Sequence, residues 1–167
     1  AGPTEPLRAV LREPNTIRPP AFGAGPFDYQ RLVQPIWDRR CGSCHAGQEL
    51  AGGIDLSGRR DARGVPASFA ALVRPRANPE RPPLVHFFDS WWGVSWTVPV
   101  AKPLTFGGAA SRLVEVIDTQ HAGIEVAPAE VQTLCLTPVE RQIVTTWIDL
   151  NCPLWDNYSP ELHTAAR

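Results

Sequence analysis

Residues 27–58 read FDYQRLVQPIWDRRCGSCHAGQELAGGIDLSG, and the fold turns on how this stretch is read. Cys41, Cys44 and His45 fall within one short run, CGSCH. Upstream, Asp28 is a natural N-cap for a helix over Tyr29 to Arg39. Leu32, Val33, Ile36 and Trp37 form its apolar stripe at i, i+1, i+4 and i+5. Pro35 lies inside this span and should kink the helix or shift its start. The helix delivers the chain directly into Cys41. Downstream, Gly52, Gly53 and Gly58 mark turns around Ile54 and Leu56.

Working outward, 167 residues suit one domain with a core of its own. The 18 prolines limit helix content and predict long, irregular connections. Residues 1–26 carry Pro and Gly throughout and read as an extended arm or linker from a preceding domain. Residues 27–157 read as the domain itself and 158–167 as a polar tail. Ser68 to Val73 is a short helix candidate, and residues 74–108 form a long irregular loop folded back on the core. Ala109 to Asp118 is a helix with Leu113, Val114 and Ile117 on one face. Pro128 sits in the first-turn position of a short segment. The strongest helix starts at Thr137, with Pro138 at N1 and Glu140 at N3 as a capping box. Ile143, Val144, Trp147 and Ile148 form its buried stripe, and Asn151 and Pro153 end it. The expected class is therefore mainly α, with long Pro-rich irregular loops and an extended N-terminal arm.

A net charge of −1 argues against a nucleic-acid surface or a basic membrane anchor. No apolar run is long enough to span a membrane. The chain shows no initiator Met and no signal-peptide pattern at Ala1, and it reads as a processed protein or a piece of a longer one.

Two cysteines and a histidine can hold zinc, run dithiol chemistry or carry a haem. A structural zinc site needs four ligands, and Cys135 and Cys152 do not form a second C-x-x-C pair. A thioredoxin-like dithiol belongs in a strand–helix context that this sequence lacks. His45 directly after Cys44 is the signature of covalent c-type haem attachment. Both sulfurs then become thioethers and the adjacent imidazole is an axial iron ligand. A helix entering the motif, a glycine-rich turn after it and a capped C-terminal helix are the plan of small class I cytochromes c. In that plan the first and last helices cross, and Trp37 and Trp147 are candidates for the contact.

The chain has no Met, so the common distal Met is excluded. Neutral imidazole is the next donor for iron. Three histidines remain: His86, His121 and His163. His121 follows a helix whose apolar face should line a haem. His86, beside Phe87 and Phe88, is a second candidate, which could instead bind a propionate or gate access. His163 lies in the polar tail, and Lys102 is the only lysine. Arg39, Arg40, Arg59, Arg60 and Arg74 are candidates for the propionates, and Ile54, Leu56, Phe69, Leu72, Leu113, Ile117 and Val126 for the porphyrin face. A helix of about a dozen residues, some 18 Å of rise, separates Cys135 from Cys152. The expectation is two separate thiols, since a disulfide needs Cα atoms within roughly 7 Å.

The opening stretch resembles the cytochrome c domains of planctomycete-type multidomain proteins. GGAASRLVEVIDTQHAGIEV (107–126) and LTPVERQIVTTWIDLNCPLWDNY (136–158) are similar to the C-terminal haem domain of the hydrazine synthase alpha-subunit family. PLRAVLREPNTIRPP (6–20) is similar to the segment just before that domain. The resemblance covers most of the chain outside the loop from Arg74 to Leu104. In that family the pattern S-x-L-x-x-x-L-x-x-x-H carries the distal histidine of a six-coordinate haem. Ser111, Leu113, Ile117 and His121 match it in type and spacing, so the resemblance implies His121 as the distal ligand. It also implies that the domain follows other domains, one of them haem-bearing.

The expected function is electron transfer through one covalently attached haem c with two histidine ligands. Two imidazoles favour ferric iron, so the potential should lie below that of His/Met cytochromes. The partner would be a redox protein or a neighbouring haem domain, and covalent attachment implies a periplasmic or otherwise exported location. A haem enzyme or gas-binding domain with an open or displaceable distal site is the alternative; carbon monoxide binding distinguishes the two.

Overall fold

Asp28 opens the first helix as expected: its Oδ1 accepts the backbone N–H of Arg31 at 2.7 Å. The computed structural model describes residues 12–73, 84–86, 103–118 and 136–155. Among these residues the regular structure is helical, and the only β pairing is an isolated bridge between Arg60 and Pro66. A mainly α chain is what the periodicities predict.

Pro35 does more than kink the first helix. The expected single helix is two: α1, Tyr29–Leu32, and α2, Gln34–Arg40, separated by Val33. Without an N–H, Pro35 cannot continue the helical ladder, so it serves instead in the first turn of α2. One further turn follows, α3, Gly42–His45. The chain then passes through a 3-10 turn, Ala51–Gly53, to α4, Ala67–Val73. A second 3-10 turn, Gly108–Ala110, precedes α5, Arg112–Asp118. The longest helix is α6, Pro138–Asp149, with both halves of the capping box formed between Thr137 and Glu140.

The core gathers Tyr29, Val33, Ile36 and Trp37 from α1, α2 and their junction with Ile143, Val144, Trp147 and Ile148 of α6. Leu56, Leu72, Val85 and Leu113 join it from the intervening segments, and Leu136 and Cys152 from the two flanks of α6. Trp37 and Trp147 are both buried in this core. The ring that meets Trp147 from α1 is Tyr29, at a centroid distance of 5.0 Å. Trp37 joins them through a hydrogen bond to the Tyr29 hydroxyl. Phe69 of α4 closes the cluster, 5.2 Å from Tyr29 and 6.1 Å from Trp147.

Two glycines seat the segment before α5 against α6. A Cβ on Gly108 would lie 2.9 Å from the Thr145 methyl, and Gly107 takes a φ of 73°. The Gly108 N–H donates to Asp149 Oδ1 at 2.7 Å. Ser111 then anchors residues 84–86: its hydroxyl accepts the His86 N–H at 2.9 Å and donates to the Gly107 carbonyl at 2.7 Å. This use of Ser111, in an extended conformation, explains why α5 starts at Arg112 and not at Ala109 as its composition suggests. Residues 12–26 are irregular and mostly exposed, with Phe22 packed edge-on to Phe27.

Candidate functional site

Helix α2 ends where the motif starts, and the Cys41 N–H donates to the Trp37 carbonyl at 2.8 Å. The Cys41 carbonyl in turn accepts from the N–H groups of Cys44 at 3.2 Å and His45 at 2.9 Å. CGSCH is thus a single helical turn, and its i, i+3 and i+4 positions share one face. Cys41, Cys44 and His45 therefore share one turn of the chain. Cys41 is half-buried, Cys44 is exposed and His45 is buried.

The chain leaves the turn and comes back. Gly52 and Gly53 both take left-handed φ values, 58° and 66°, which turn the backbone sharply. The Leu56 N–H then donates to the His45 carbonyl at 2.7 Å. The same return brings the Ile54 carbonyl to 3.2 Å from His45 Nδ1. A carbonyl only accepts, so Nδ1 carries a proton, and in the neutral ring the lone pair is then on Nε2. A metal-ligating imidazole needs that tautomer, held by that kind of backbone acceptor. Ile54 carries this role through its backbone, whereas its sequence suggests only an apolar side chain. The glycine pair was the signal for it.

Cys41 lacks the depressed thiol of a redox nucleophile. Burial pushes the Cys41 thiol up to about 11, Cys44 adds to the effect, and Arg40 opposes it. A dithiol oxidoreductase needs a thiol shifted the other way. Among the described residues no three His, Cys, Asp or Glu side chains converge to hold a metal ion by themselves. The donor set at CGSCH suits a haem c: two thiols for covalent attachment and one buried imidazole with its proton held on the far nitrogen.

A charge clamp fixes this turn to the far end of the chain. Glu140 of α6 meets Arg40 at 3.1 Å and Arg39 at 3.3 Å, the two residues just before Cys41. Burial raises the Glu140 carboxyl, yet the Thr137 N–H and the two guanidiniums outweigh it and hold the group down at about 2. The capping box is legible in sequence, but the pairing with α2 across a hundred residues is not. It also changes the view of the arginines proposed for propionates. Arg39 and Arg40 hold Glu140, Arg59 holds Asp55 at 2.9 Å, and Arg60 donates to the Gln30 side chain.

Of the apolar residues assigned to a porphyrin face, Leu56, Leu72 and Leu113 are core, and Ile54, Phe69 and Ile117 are partly buried at its edge. His86 is half-buried and held by backbone bonds to Ser111 and Gly107. Cys152 is a free, buried thiol, raised by burial to about 12. His121, His163, Lys102, Cys135, Val126, Arg74, Phe87 and Phe88 lie outside the described residues. None of the described helices is long and apolar enough to cross a membrane. No family model, curated protein or solved structure matches the chain.

Proposed function

We propose that this chain is a monohaem c-type cytochrome domain with a class I-like fold that carries electrons through a six-coordinate haem. The observation that carries the reading is the buried His45, its Nδ1 proton given to the Ile54 carbonyl, on the same turn as Cys41 and Cys44. Bound haem supplies a one-electron iron couple. Cys41 and Cys44 attach the group, and His45 Nε2 is the proximal ligand. The Ile54 carbonyl fixes the imidazole ring and raises its basicity. His121 is the distal ligand, supported by the absence of Met, by its place after α5 and by the resemblance to the alpha-subunit haem domain of hydrazine synthase. The partner is a redox protein or a neighbouring haem domain, in the periplasm or another exported compartment.

The test is expression in a bacterial host that matures c-type cytochromes, followed by pyridine haemochrome, visible and EPR spectra. The expected result is one covalently attached, low-spin haem that ignores carbon monoxide. Loss of attachment in Cys41→Ala/Cys44→Ala completes the assignment. An unattached haem or none refutes it, and rapid carbon monoxide binding moves the reading to a gas-binding or catalytic haem.

A further inference from the structure

We propose that Gln34 is a positioning residue for the proximal histidine, acting through the loop that bonds to His45; this rests on the haem reading above. Gln34 is buried on the first turn of α2, far in sequence from the loop it holds. Its Nε2 donates to the Leu56 carbonyl at 3.1 Å and to Asp38 Oδ1 at 2.7 Å. Its Oε1 accepts from the Ser68 hydroxyl at 2.5 Å. Ser68 accepts in turn from the Tyr29 hydroxyl at 2.9 Å, and Tyr29 accepts from Trp37 Nε1 at 3.0 Å.

The direction of every bond in this chain is forced. Indole nitrogen only donates, and a backbone carbonyl and a carboxylate only accept. With those ends fixed, Tyr29, Ser68 and the Gln34 amide have one arrangement that satisfies all of them. Gln34 therefore presents its NH₂ to Leu56 in a single orientation, set by buried groups.

Leu56 is the link to the ligand. Its N–H is bonded to the His45 carbonyl and its carbonyl to Gln34, so it is held on both sides. Two residues earlier the same strand of chain offers the Ile54 carbonyl to His45 Nδ1. The loop packs directly on this side chain: a Cβ at residue 58 would touch Gln34 Cδ and Nε2 at 3.4 Å. Releasing Leu56 frees the segment that carries the Ile54 acceptor. The Nδ1 bond then lengthens, the imidazole donates less charge to iron and its ring orientation loosens.

Three variants separate positioning from mere packing. Gln34→Met keeps volume and removes every bond to Leu56 and Ser68. Gln34→Glu keeps the Ser68 bond but faces Leu56 with an acceptor, and it takes the place of Gln34→Met if that variant does not fold. Tyr29→Phe removes bonds from the same network yet leaves Ser68 donating to Gln34. The measurements are pyridine haemochrome, EPR g-values and reduction potential of the attached protein. Haem attachment is expected in all three. Gln34→Met should raise the potential and either Gln34 variant should shift the low-spin g-values, while Tyr29→Phe lowers thermal stability and moves neither. Unchanged potential and g-values on losing Gln34, or equal shifts in Tyr29→Phe, overturn the inference while leaving the haem assignment standing. Absence of haemochrome in the unmutated protein overturns the functional reading, and this inference with it.

Discussion

Replacing Glu140 by Gln tests how α6 holds the motif turn. The substitution keeps an acceptor for the Thr137 N–H but removes the charge shared with Arg39 and Arg40. A carboxyl held at about 2 against its ordinary 4.5 corresponds to roughly 3 kcal/mol of stability at neutral pH. Arg39 is 57% exposed and Arg40 only 22%, so solvent screening of the first pair brings the expectation to about 2 kcal/mol. The sign in pH follows from a depressed carboxyl. The contribution is complete above about 4.5 and disappears as pH falls towards 2. Urea unfolding followed by far-UV circular dichroism should therefore show the variant less stable at pH 7 by about 2 kcal/mol. At pH 3 most of the titration lies behind, and the difference should be clearly smaller. A difference that is the same at both pH values refutes the reasoning, because it would mean that the charge of Glu140 contributes nothing.

Ser111→Ala leaves the half-buried His86 N–H and the buried Gly107 carbonyl without their partner, and should cost about 1–3 kcal/mol in urea unfolding, with faster amide exchange at His86. Gly108→Ala drives a methyl to 2.9 Å from the Thr145 Cγ2 and should cost about 1–3 kcal/mol, measured as a lowered Tm. His121→Ala should convert the low-spin haem to a five-coordinate or water-bound form that binds carbon monoxide; a surviving low-spin EPR signal means that another residue is the sixth ligand.

The parts legible in sequence are those with local causes. The Asp28 cap and the Thr137–Glu140 box depend on residues three apart, and both form as read. CGSCH is one helical turn because each bond in it closes within four residues. Pro35 announces a break, though not that Val33 alone separates two helices. Long-range facts were not legible. Nothing local says that Glu140 faces Arg40, or that Gln34 reaches Leu56 and Ser68. Ser111 falls in the first turn of the helix expected from Ala109, and only the arrival of residues 84–86 turns it into an anchor outside the helix. Four of the five arginines named as propionate candidates have protein partners that their sequence positions do not announce.

This difference in range separates two properties of the site. The bonds that shape the CGSCH turn and hold His45 Nδ1 join residues no more than about a dozen apart. Local bonds form early and cost little loop entropy. The clamp from Glu140 to Arg40 spans a hundred residues and forms only in the assembled fold. On the proposed function, haem attachment would depend on the turn, whereas the folded state depends on the clamp. Glu140→Gln should therefore give protein with full haemochrome content per chain and reduced resistance to urea. Gly52→Val should do the reverse, because a β-branched residue does not take the φ of 58° that returns Ile54 to His45. Its haemochrome yield should fall while α6 remains clamped to α2. Equal losses of attachment in both variants would show that the turn is not assembled before the rest of the fold.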